Sequence, residues 1–180
     1  MFLGDNVRDQ DWLYAVFEEL GSAPPSIEAA KALDAYSCFP GFEQTQSDAK
    51  SAYTQSFLRG TETWVELPLD RWPEEWKRRF SREDHPVCPL VLALYGHPDA
   101  GGYWEEDCNK RIRSLGWKQL TDEGWRSCFW HTKTKAFLVV YVDDFNMSSP
   151  VAHTAKLWKE LQSVIDLSDY VPASRFLCLL

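Results

Sequence analysis

Lys135-Ala136-Phe137-Leu138-Val139-Val140-Tyr141-Val142-Asp143-Asp144-Phe145-Asn146-Met147 is the stretch on which the fold turns. Leu138 to Val142 is an apolar run rich in β-branched residues, the pattern of a buried strand. Two carboxylates follow at once, and Phe145 restarts the apolar pattern. The expected form is a tight hairpin with Asp143 and Asp144 at its tip. Asp suits turns because its side chain bonds nearby backbone and tolerates unusual dihedrals. A bare Asp-Asp pair therefore fits an ordinary surface turn, unless a further carboxylate elsewhere in the chain joins it.

Asp48, in Ser47-Asp48-Ala49-Lys50-Ser51-Ala52-Tyr53, is the candidate. If its strand pairs with the hairpin, three carboxylates share one strand end. Unaided they repel and one takes up a proton. A divalent cation removes that penalty. Mg²⁺ accepts a few carboxylates, keeps waters and accepts phosphate oxygens. Two such ions ~4 Å apart suit in-line phosphoryl displacement.

The rest of the chain supports an α+β domain. It has 180 residues, 44% hydrophobic and 14% aromatic with nine Trp, enough for a real core. Apolar positions predict helices over 11–20, 27–36, 72–80, 104–115 and from Ser149-Pro150 to Ile165, with Trp104, Cys108 and Ile112 marking one stripe. Strands are expected at 63–68, 125–130 and 137–142, and 87–95 is an apolar run ending in a loop. Helices and antiparallel strands mix without a βαβ rhythm. The apolar ending Phe176-Leu177-Cys178-Leu179-Leu180 suggests a fragment of something longer.

Composition narrows the function. The net charge of −8 argues against strong non-specific nucleic-acid binding, which rests on neutralising phosphates. No apolar run approaches the roughly 20 residues of a membrane span. The N-terminus has no basic segment and no apolar signal region, so secretion is not expected. Cys38, Cys88, Cys108, Cys128 and Cys178 form no C-x-x-C pair, and read as reduced, small buried residues. His85, His97, His131 and His153 have no ligand spacing.

Asp48-x-x-x-Ala52-Tyr53, followed about ninety residues later by Tyr141-Val142-Asp143-Asp144, is similar to the A and C motifs of reverse transcriptases. Between them, Leu92-Ala93-Leu94-Tyr95-Gly96 followed by Trp104 looks like the B region of copia-type long-terminal-repeat retrotransposons. Thr63-Trp64-Val65-Glu66-Leu67-Pro68 sits where that family carries a short strand ending in Pro. The ordered blocks cover roughly residues 42 to 147.

The resemblance implies an RNA-directed DNA polymerase, a nucleotidyltransferase cut from a Pol polyprotein. Its fold would be the polymerase palm, an antiparallel sheet with helices packed on one face, with palm at about 22–58 and 96–180 and partial fingers at about 59–95. The thumb and RNase H regions would lie outside the chain. Asp48, Asp143 and Asp144 would be the catalytic carboxylates holding two Mg²⁺ ions, with the Ala49 carbonyl assisting. Ala52, Tyr53 and Gly96 would face the incoming deoxynucleoside triphosphate, with Tyr53 blocking a 2′-hydroxyl. Tyr141 would lie near the primer terminus. The implied partners are an RNA or DNA template with primer and the rest of the polyprotein, in cytoplasmic virus-like particles or the nucleus, with no membrane.

One block departs from the family. After Tyr95-Gly96 the chain reads His97-Pro98-Asp99-Ala100-Gly101-Gly102, where copia elements carry a Leu-Lys-Gln-Ala-Pro-Arg-like segment. Two bases are missing and an acid is gained, which counts against template or nucleotide contact by this loop. Two other readings stay open: a non-catalytic nucleic-acid- or protein-binding remnant of the same fold, whose sheet binds single strands by stacking, and a metal-dependent nuclease or phosphatase. The latter needs a group to activate water, and no His is suitably placed near Asp48 or Asp143.

Overall fold

The computed structural model describes residues 25–122 and 125–173. In chain order its elements are α1 (Ile27–Ser37), β1 (Phe42–Asp48), β2 (Trp64–Glu66), α2 (Glu74–Arg79), β3 (Val87–Pro89), α3 (Ala100–Ser114), β4 (Lys118–Gln119), β5 (Cys128–His131), β6 (Ala136–Tyr141), β7 (Asp144–Pro150), α4 (Val151–Gln162) and β8 (Val171–Pro172). A six-stranded antiparallel sheet runs in the order β4-β5-β6-β7-β1-β8, and β2 and β3 form a separate two-stranded sheet. The class is α+β with an antiparallel sheet, as the element pattern suggests. The helix expected over 11–20 and the apolar ending at 176–180 lie outside the described residues.

β6 explains why the sheet sits inside the molecule. Its residues 136–140 are all buried. Leu138 and Val140 point to one core with Phe145, Met147, Trp104, Ile112, Leu157, Trp158 and Leu161. Phe137 and Val139 point the other way, against Ala29 and Leu33 of α1. Successive strand residues alternate faces, so a continuous apolar strand needs cover on both. This corrects the expectation of helices on one face: α3 and α4 cover one side and α1 the other. Each fully buried Leu, Val or Phe contributes about 1.5–3 kcal/mol.

α1 begins where Ser26 accepts a hydrogen bond from the Ala29 N–H at 3.2 Å, a side-chain N-cap. α4 follows Pro150, whose fixed φ suits a helix start. The core-facing stripe of α4 is tied to β1 by the Trp158 indole N–H, which donates to Thr45 Oγ1 at 2.8 Å.

β5 begins at Cys128, three residues later than the expected strand start at Trp125. The carbonyl of Trp125 instead accepts the Cys128 N–H in a turn. β4 and β8 have two residues each and carry no periodicity by which sequence could reveal them. Cys108 and Cys128 are buried, as expected of small apolar residues, but Cys38 is exposed and Cys88 half-buried. Burial pushes the Cys128 thiol up to about 12 and raises that of Cys108 further. Among the described residues no helix is long and apolar enough to cross a membrane.

Between β1 and α3 the chain leaves the main sheet. β2 and β3 pair with Val65 opposite Cys88, and α2 closes the excursion with Trp72, Trp76 and Phe80 in edge contacts. Trp64, Phe57, Val87 and Val91 are exposed there. Lys77, Arg78 and Arg79 lie in the last turn of α2, where positive charge complements the helix dipole.

Candidate active site

The hairpin β6–β7 has a two-residue turn, Val142-Asp143. The sequence reading placed Asp143 and Asp144 together at the tip. Instead the strand ends at Tyr141, Val142 enters the turn, and Asp144 is the first residue of the returning strand, paired with Tyr141. Val142 has φ of 56°. Positive φ at the first turn position gives the hairpin a twist that suits its strands, yet a β-branched residue rarely adopts it.

β1 lies on the other side of β7. The register pairs Thr45 with Met147, Ser47 with Phe145 and Asp48 with Asp144. The Ala49 N–H then donates to the Asp143 carbonyl at 2.7 Å. Asp48 and Asp144 are thus direct cross-strand partners on one face, and Asp143 occupies the adjoining turn. Two carboxylates distant in sequence, Asp48 and Asp144, meet at one sheet end, with Asp143 in the turn beside them.

Their electrostatics follow from the register. Asp144 is held above the usual carboxylate range, first by partial withdrawal from water, then by repulsion from Asp143 and Asp48, and by a hydrogen bond that its protonated form shares with Asp48. Like charges directly opposite across a strand pair are destabilising. Among the described residues, no group of three or more His, Cys, Asp or Glu side chains is arranged to hold a metal ion. The donor set nevertheless suits a hard cation: carboxylate oxygens only, at an open strand end, with mutual repulsion that a divalent ion relieves. Mg²⁺ is commonly held by one or two carboxylates plus waters and substrate phosphates.

Tyr53 stands beside this end. It follows β1 in a short 3-10 turn, Ala52–Gln55. Arg111 of α3 anchors that turn through Nη2, which donates to the Gln55 carbonyl at 2.5 Å, and Gln55 Oε1 accepts the Asp166 N–H at 2.9 Å. The Tyr53 ring stacks on Tyr95, centroids 4.3 Å apart and planes at 29°. Its hydroxyl is raised above the ordinary tyrosine range by burial first, then by Tyr95, Asp143 and Tyr141. Tyr53, Asp143 and Tyr141 therefore form one neighbourhood.

The remaining expected site residues divide. Tyr141 is half-buried at the end of β6. Gly96 is exposed with φ of 95°, in the turn that follows Tyr95, a conformation glycine adopts without strain. Ala49 is buried and its N–H serves the hairpin. Ala52 has no exposed surface and packs in the main core.

Sequence reasoning missed Tyr95 as the partner of Tyr53, and Arg111 as the anchor of its turn. The adjacency of Tyr95 to Gly96 was a usable signal for the first. No local pattern marks the second. In the departed loop, His97 is buried, its Nε2 is 3.2 Å from Thr63 Oγ1, and its Nδ1 accepts the Asp99 N–H at 3.2 Å. That segment ties the β2–β3 sheet to the start of α3.

No protein-family model, curated protein or solved structure matches this chain.

Proposed function

We propose that this chain is a polymerase palm with partial fingers, from an RNA-directed DNA polymerase of the copia retrotransposon type. The observation that carries the reading is the Asp48–Asp144 register, which brings the first acidic motif beside the Tyr141-Val142-Asp143-Asp144 hairpin. Asp48, Asp143 and Asp144 would hold Mg²⁺. When bound, that ion supplies positive charge to the attacking and leaving oxygens of phosphoryl transfer.

The chain's own residues do the positioning. The paired strand ends fix the carboxylates on one side of the sheet end. The Tyr53 ring, backed by Tyr95, walls the neighbouring space and would block a 2′-hydroxyl on a sugar placed against it. The separate β2–β3 sheet with α2 places the exposed Trp64 ring and the Lys77, Arg78 and Arg79 turn beyond the main sheet, where a template strand would pass. Positioning carries most of the rate in such transfers, so a palm with partial fingers extends primers weakly on its own.

The test is single-nucleotide incorporation on a primed RNA template with Mg²⁺ or Mn²⁺. Weak, metal-dependent addition of a deoxynucleotide, lost in Asp143→Asn, is the expected result. Hydrolysis of the primer in place of extension would assign the same carboxylates to a nuclease. The exposed Trp64 and Phe57 rings support a second reading, a non-catalytic binding remnant of the same fold that holds single strands by stacking. Single-strand binding indifferent to divalent ions, with no ion bound at the carboxylates, would establish that reading.

A further inference from the structure

We infer that Trp104 is a positioning residue for the acidic hairpin: its indole N–H holds the Val142 carbonyl and thereby fixes the direction in which the Asp143 side chain leaves the turn. The Trp104 Nε1 donates to the Val142 carbonyl at 2.6 Å. Its ring is 2% exposed and belongs to the α3 core stripe with Cys108 and Ile112. The donor is thus mounted on a rigid element rather than on a mobile surface chain.

Two facts make this bond more than packing. Val142 is held at φ of 56°, a conformation its branched side chain opposes. Something must hold it there, and the bond acts on this residue's own carbonyl. The second fact concerns Asp143. The peptide plane before it carries the Val142 carbonyl, bonded by Trp104. The plane after it carries the Asp143 carbonyl, bonded by the Ala49 N–H at 2.7 Å. With both flanking planes fixed, the backbone dihedrals of Asp143 are set, and with them the direction of its Cβ. A cavity lined by Tyr53, Trp104, Cys108 and Val142 adjoins the tip, so a tip released from the indole has room to turn.

The test replaces Trp104 with β-(3-benzothienyl)alanine, which keeps the bicyclic shape and substitutes sulfur for the N–H. Trp104→Phe serves as a genetically encoded second variant. The first readout is hydrogen exchange of the Ala49 amide against amides of β6 and α4. The expected result is exchange at Ala49 about tenfold faster, with β6 and α4 unchanged. Adding Val142→Gly, which removes the opposition to positive φ, brings the Ala49 rate back toward that of the unaltered protein. Unchanged exchange at Ala49, or acceleration spread evenly through β6 and α4, would overturn the inference.

The second readout is Mn²⁺ affinity, which rests on the proposed metal-binding role of the carboxylates. It is expected to weaken severalfold in the isosteric variant. An unaltered protein that binds no Mn²⁺ would count against the polymerase reading, while the exchange comparison would still decide the role of Trp104.

Discussion

Asp48 and Asp144 are directly opposed across an antiparallel strand pair, both carrying carboxylates toward the same face. Like charges directly opposite across a strand pair destabilise the fold. Asp144→Asn should therefore stabilise the ion-free protein at neutral pH by about 0.5 kcal/mol, the scale of a screened like-charge pair. The sign follows from its raised ionisation. A carboxyl held above its unfolded value contributes stability that is full at low pH and lost as pH rises through the folded value. The gain should thus be present at pH 7 and vanish near pH 3. Thermal melts at both pH values, with and without Mg²⁺, check it: Mg²⁺ should raise the Tm of the unaltered protein more than that of the variant.

Trp158 and Thr45 carry a buried bond between α4 and β1. Trp158→Phe leaves the Thr45 hydroxyl without its donor in a site only 2% exposed. The orphaned group should cost about 1–3 kcal/mol beyond the packing loss. Replacing Thr45 by Val in the same chain should recover part of that. Urea denaturation of the four members of the cycle measures it.

Ser148 is fully buried on the α1 side of the sheet, and its hydroxyl has no hydrogen-bond partner among the described residues. Ser148→Ala removes a desolvated polar atom at little loss of volume. The expected outcome is stability unchanged or higher by about 1 kcal/mol, read from the midpoint of chemical unfolding. A loss of more than that would mean the hydroxyl bonds ordered water.

His97 and His131 are both held below the ordinary histidine range, chiefly by burial. At His97 the opposing pull of Asp99 is smaller. A lowered value means the neutral ring is the folded form, so its contribution is present above about pH 6.5 and lost as pH falls. At His97 protonation also removes the acceptor of the Asp99 N–H. The melting temperature should fall between pH 7.5 and pH 5, and His97→Gln should flatten that slope. Scanning calorimetry across the range tests the direction.

Local chemistry was legible where one period dominates. The α3 stripe of Trp104, Cys108 and Ile112 is buried as its spacing requires. Ser26 caps α1 because a short side-chain oxygen precedes an apolar helical pattern. The unbroken run in β6 marked a buried strand, and the same run implied cover on both faces, which the one-face expectation overlooked. The hairpin was legible too, but its exact turn was not. Asp favours turns more than Val does, so residue preference put the tip one position too late. Pairing with β1 and β5 fixes the register, and Val142 takes the turn despite its preference.

Sequence by itself determined the α+β class, the helical faces and the acidic pair that follows the 137–142 strand candidate. Only the tertiary structure decided that those strands are neighbours, that Asp48 meets Asp144, and that Tyr95 and Trp104 support Tyr53 and the hairpin tip. The physical reason is range. Periodicity and capping act over a few residues of backbone. Strand order and the bonds of a buried indole are settled by which apolar surfaces close on each other, and that depends on the whole chain at once.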